Sequence, residues 1–75
     1  MKNNLILFSS VTHAIRSRDL LNKYGFNARM IRTPANLREY SCGYSLLVMY
    51  DFDKAVNIIR NNGIAVLRTA AVDFK

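Results

Sequence analysis

Four short apolar runs separated by two amphipathic stretches, in the order β-α-β-β-α-β, predict an α+β fold for this chain. Three observations carry the expectation. The strand segments are apolar or alternate with period two, while the stretches between them repeat at helical spacing. Each helical stretch halts at a glycine, Gly25 or Gly63. Finally, "LLNKYGFNARMIRT" in the first half echoes "IIRNNGIAVLRT" in the second.

The segment "NLILFS", Asn4 to Ser9, is a continuous apolar run ending in serines and reads as a buried strand. Ser10 then stands where a helix N-cap belongs. Val11, Ala14, Leu21 and Tyr24 follow on one helical face, with Ser17 filling the gap, and Gly25 supplies the stop. "ARMIRT", Ala28 to Thr33, is the second strand, ended by Pro34, and Pro34 to Ser41 reads as a polar loop. "GYSLLVMY", Gly43 to Tyr50, is the third strand, with Tyr44, Leu46, Val48 and Tyr50 on one face. Asp51 or Asp53 caps a second helix whose stripe is Phe52, Ala55, Val56 and Ile59. Gly63 ends it, "IAVLRT", Ile64 to Thr69, is the last strand, and the tail "AAVDFK" extends that strand or frays. Two split β-α-β units of this kind form a ferredoxin-like sandwich, four antiparallel strands with both helices on one face. Right-handed crossovers then give the strand order 4-1-3-2.

Composition bounds the function. A chain of 75 residues is read as one domain, residues 1–75, with no room for a large cleft. An enzyme of this size would need a partner, a second subunit or an unusually reactive side chain. One cysteine forms no internal disulfide, and one histidine with one cysteine falls short of a zinc site; no metal or organic cofactor is expected. No apolar run is long enough to span a membrane, and "MKNNLILFSS" is too short for a secretory signal, so the expected compartment is the cytoplasm. Eleven Lys and Arg against five Asp and Glu give a net charge of +6. That balance suits nucleic acid or an acidic partner. The charges are scattered, however (Arg16, Arg18, Arg29, Arg32, Arg38, Arg60, Arg68), and a solvated basic surface accounts for them too.

The predicted topology gives the lone Cys42 a chemical context. The end of strand one and the start of strand three share one sheet edge, so Ser9, Ser10 and the first turn of helix one should meet Cys42 and Gly43. Unpaired N–H groups and the positive end of the helix dipole favour an anion there, and lower a thiol's pKa from its free value of about 8.5. Gly43 lets the backbone approach whatever the sulfur carries, and Arg38 in the overhanging loop adds positive charge. His13, in the first helical turn, is a candidate base for the thiol; a surface histidine near a helix start is the competing reading. Capping alone explains one of Ser9 and Ser10. Cys42 itself is either such a nucleophile or an inert space-filler, and its place at a loop-to-strand junction beside glycine favours reactivity.

These residues resemble a known family. "FSSVTHAIRSRDLLNKYGFNARMIRTP" followed by "SCGYSL" is similar to the small bacterial domains of unknown function described as selenium/sulfur carrier-like. The matching positions are Phe8, Ser9 or Ser10, His13, Ala14, Gly25, Thr33, Pro34, Cys42 and Gly43. The resemblance implies a cytoplasmic bacterial protein whose cysteine carries sulfur or selenium as a persulfide or selenopersulfide, with donor and acceptor proteins as partners. The arginine that often follows the proline in that family is Ala35 here, which leaves Arg38 as its candidate substitute.

Two other functions compete. RNA-recognition domains share the strand order and open strand three with basic-Gly-aromatic; here Gly43 and Tyr44 remain, but Cys42 replaces the basic residue and Leu46 the second aromatic. Only Tyr44, Phe8 and Tyr50 are candidates to stack on bases. The third reading is an interaction module: helices on one side leave the other sheet face open. Leu47 and Met49, or their neighbours, would then be exposed or covered by a homodimer.

Overall fold

The computed structural model describes residues 3–40 and 43–72, the side chains of 38–40 excepted. Its elements are β1 (Leu5–Leu7), α1 (Val11–Lys23), β2 (Arg29–Arg32), a 3₁₀ helix (Ala35–Tyr40), β3 (Tyr44–Leu47), α2 (Phe52–Asn61) and β4 (Arg68–Ala70). All neighbouring strands pair antiparallel, in the order β2-β3-β1-β4. Read from the opposite edge this is the expected 4-1-3-2, and the fold is α+β.

Period two sorts the apolar side chains onto two faces. Ile6, Phe8, Leu46 and Val48 point toward the helices and pack with Ala14 and Leu21 of α1 and Ala55, Val56 and Ile59 of α2. Leu5, Leu7 and Leu47 point the other way, where Ile31, Leu37, Ala70 and Val72 cover them. Strand β1 is buried at all three positions because both faces are covered, which is why its segment reads as an unbroken apolar run.

The back face differs from expectation. Leu37, from the segment expected to be a polar loop, closes over it on the 3₁₀ helix. Val72, in the tail, is tied there by the Asn4 side chain, whose amide donates to the Val72 carbonyl at 2.8 Å. In return the Val72 N–H donates to Asn4 Oδ1 at 2.9 Å, so one side chain imitates a strand partner. Leu47 is 2% exposed as a result. The expected demand for a second copy over Leu47 is met from within the chain, at about 1.5–3 kcal/mol for each leucine removed from water. Met49 lies beyond β3 and is exposed.

Both glycine stops fall where the echo places them. Gly25 has φ +84° and Gly63 φ +78°. In α1 the Gly25 N–H donates to the Asn22 carbonyl and the Phe26 N–H to that of Leu21; in α2 Gly63 donates to Arg60 and Ile64 to Ile59. Each is a Schellman closure, and Leu21, Phe26, Ile59 and Ile64 all sit in the helix-side core. The echo is therefore one C-terminal capping device used twice.

Other details are corrected. The strands are shorter than their apolar runs, because residues flanking each ladder lie outside it while still packing on the core, as Phe8, Ala28 and Val48 do. Val11 and Tyr24, at the two ends of the α1 stripe, are exposed; only Ala14, Ser17 and Leu21 in its middle are buried. Asp51 is the N-cap residue of α2, but its backbone is left-handed at φ 50° and its side chain makes no cap bond. Among the described residues no helix is long and apolar enough to cross a membrane.

Candidate functional site

The site is built by the register of β1 against β3. Leu7, the last paired residue of β1, stands opposite Ser45 near the start of β3. The end of β1, the first turn of α1 and the start of β3 thus share an edge, as the topology requires. Cys42, the covalent neighbour of Gly43, lies outside the described residues, as does the side chain of Arg38; Arg38 itself falls within the 3₁₀ helix.

Gly43 is held by backbone conformation. Its φ is +93°, and a Cβ added there would meet no atom within 4 Å. Glycine is therefore called for by the left-handed turn, not by crowding. The Gly43 carbonyl accepts the Thr33 N–H at 2.9 Å. One layer away, the hydroxyls of Thr33 and Ser45 are hydrogen-bonded at 2.6 Å, and both residues are fully buried. These two bonds close the base of the connection running from Pro34 to Gly43. Within it the Leu37 N–H donates to the Pro34 carbonyl and Leu37 anchors the turn to the back face. The loop next to the cysteine is thereby fixed at its root.

The facing helix end is electropositive by composition. Ser10 is the N-cap residue, extended at φ −138° and ψ 134°, and its carbonyl accepts the Ala14 N–H. Its hydroxyl makes no cap hydrogen bond, so the expectation that a serine caps this helix through its side chain is not met. No acidic residue stands in the first turn. The helix's own first turn therefore supplies no counter-charge to the dipole's positive end. Ser9 is exposed and Ser10 half-buried.

His13 occupies the first turn, as expected, and is half-buried. Its Nδ1 is buried without a hydrogen-bond partner, and so is Oγ of Ser17, one turn further along the same helix. Each such atom costs about 1–3 kcal/mol relative to a satisfied one. The two stand at i and i+4, one in the first turn and one at the middle of α1, and are polar groups that the packing of the fold does not account for.

The aromatic residues are not arranged as a base-stacking sheet. Phe8 is sealed in the core. Tyr50, at the opposite edge, stacks on Phe26 with centroids 6.4 Å apart, and its hydroxyl donates to the Gly25 carbonyl at 3.2 Å. Tyr44 retains 39% exposure. The back face carries leucines and Ser45 where an RNA-recognition sheet presents aromatics.

Two adjoining surface grooves, about 530 and 360 Å³, run along α2 past Asn3, Asp53 and Arg60 and contain none of the candidate residues. Among the described residues no cluster of His, Cys, Asp and Glu could hold a metal ion. Sequence reasoning found the edge but missed the Thr33–Ser45 clamp. Its trace was a serine inside an otherwise apolar strand run and a threonine just before proline.

No curated protein and no solved structure matches the chain. A family model described as "Putative Se/S carrier protein-like" matches residues 3–70. With most of its length matched, and with the Ser10–His13 and Gly43 segments inside the match, the chain belongs to that selenium/sulfur carrier-like family.

Proposed function

We propose that the protein is a cytoplasmic carrier that accepts sulfur or selenium on Cys42 and passes it to an acceptor protein. In the loading step the Cys42 thiolate attacks the terminal sulfur of a donor protein's persulfide. The donor's S–S bond breaks, its thiolate leaves, and a persulfide forms on Cys42; no net oxidation occurs. Selenium transfer has the same balance with a selenopersulfide donor. The family membership supports this reading, and the observation that carries it is the edge itself: Gly43, bonded to the cysteine, precedes β3 at the sheet edge where β1 ends and where α1 begins with neither a side-chain cap nor an acidic residue in its first turn. In this reading those N–H groups favour the thiolate and then the persulfide anion, His13 exchanges the thiol proton, and Ser9, Ser10 and Arg38 bind the anionic cargo. Gly43 sets the turn that presents the sulfur.

The test is intact mass spectrometry of protein incubated with a persulfide donor. A gain of one sulfur atom, absent in Cys42→Ser, is the expected result. Alkylation at graded pH gives the second readout: the thiol should titrate below about 8.5, and a value at or above it would remove the argument from the helix end.

A further inference from the structure

We propose that the edge carrying Gly43 is a docking surface for an acidic protein, and that the opposite edge is not. The topology divides the charged side chains unequally. The start of α1, the end of β2, the end of α2 and the start of β4 all lie at the Gly43 edge. They bring exposed Arg16, Arg32, Arg60 and Arg68 to it. The three acidic side chains among the described residues lie elsewhere. Asp51 and Asp53 stand at the start of α2, on the opposite edge, and Asp19 is paired with Arg18 at 3.1 Å. Arg38 and Glu39, both in the 3₁₀ helix, cancel formally.

Apolar area accompanies this charge, while the larger exposed groups Tyr24, Met49 and Tyr50 stand at the opposite edge beside Asp51 and Asp53, so the sign of the charge is what separates the two edges. Val11, Ile15, Tyr44 and Leu67 are each 38–40% exposed, and all belong to the elements that begin at this edge or lead into it. Exposed apolar side chains and arginines gathered at one edge are the composition of a protein interface, and charge of a single sign selects a partner of opposite sign. A second copy of this chain would bring arginine against arginine. Nucleic acid would share the charge preference, but three of the four apolar groups are aliphatic and offer bases no ring to stack on. The proposal deepens the carrier reading, and rests on it for which proteins dock: a donor must bring its persulfide to the Cys42–Gly43 junction.

The experiment uses ¹⁵N-labelled Cys42→Ser protein, which cannot be loaded, so docking and sulfur transfer fail separately. It is titrated at low salt with poly-glutamate, a glutamate–tyrosine copolymer and single-stranded poly(U) RNA. Shifts are expected in the amides of Val11–Arg16, Arg32, Tyr44 and Arg68, with the copolymer binding more tightly than poly-glutamate. Arg16→Glu with Arg32→Glu should weaken copolymer binding about tenfold or more, as for the loss of complementary charge at an interface. Lys23→Glu with Arg29→Glu makes the same charge change at the opposite edge and should weaken it by less than about threefold, the non-local share of the field. Equal losses in the two pairs would reduce the effect to net charge and overturn the proposal. Tighter binding of poly(U) than of the copolymer would overturn it in favour of nucleic acid.

Discussion

Consider removing the Thr33 hydroxyl by Thr33→Val, which keeps the shape of the side chain. Its partner, Ser45 Oγ, lies 2.6 Å away in a fully buried site and would lose that bond with no access to water. An unsatisfied buried hydroxyl costs about 1–3 kcal/mol, and Ser45→Ala removes the same bond from the other side. The double variant removes both hydroxyls with almost no change in volume. Only the net worth of the bond is then lost, about 0.5–1.5 kcal/mol. The two single losses should therefore sum to more than the double loss, with a coupling of at least about 1 kcal/mol. Urea or thermal unfolding of the four proteins measures it; for a domain of this size each kcal/mol moves the midpoint by about 4–8 °C. Additivity to within about 0.5 kcal/mol would refute the clamp. The same series tests the link to the site, because the Thr33 N–H also holds the Gly43 carbonyl. A clamp that fixes the loop root should change the alkylation rate of Cys42 in Thr33→Val even in conditions where the variant is fully folded.

Three further outcomes follow from the packing. Gly63→Ala should destabilise by about 1–2 kcal/mol with no steric clash, since only its left-handed backbone is at stake, and Gly63→Asn should recover part of that in the same unfolding assay. Leu37→Ala should cost less than the roughly 2–5 kcal/mol typical of a fully buried leucine, because Leu37 is half-buried, and should raise dye binding to the uncovered Leu5, Leu7 and Leu47. Leu47→Asp should unfold the chain, read by circular dichroism, without producing a folded monomer from a dimer; a folded, monomeric variant would show that a second copy covers this face after all.

The parts of the fold legible in the sequence are those where residue type and backbone state are tied together. Gly25 and Gly63 announce left-handed positions that other residues adopt only at a cost, so the helix ends are readable. The stripe of α2 is readable because Ala55, Val56 and Ile59 are buried at helical spacing, with Phe52 half-buried ahead of them. The α1 stripe misleads at Val11 and Tyr24, which stand at the two ends of that longer helix and are exposed. Leu37 could not be read: one apolar residue in a polar stretch has no periodicity, and only the uncovered leucines opposite explain its place. The Asn4–Val72 pair spans 68 positions and leaves no local trace. At the site the shared edge of Ser10 and Gly43 was legible from strand order alone. The bonding of the Ser10 hydroxyl was not, because a serine before a helix looks the same whether or not its side chain turns inward.

The two helix starts, compared with each other, give the strongest electrostatic reason to look for function at one edge. Any chain with this strand order puts the N-terminus of α1 at one edge of the sheet and that of α2 at the other. Stability alone would treat both ends alike, since an acidic group near either is worth about 0.3–1 kcal/mol. Here α2 begins with Asp51 at the cap and Asp53 in its first turn, while α1 begins with Ser10, whose hydroxyl does not cap, and has no acid in its first turn. The uncompensated end is also where the unpartnered Nδ1 of His13 is buried and where Arg32 and Arg68 are exposed. A helix end left positive on a chain already at +6 forgoes an inexpensive stabilisation. The sequence sets its one thiol beside Gly43, next to that same edge.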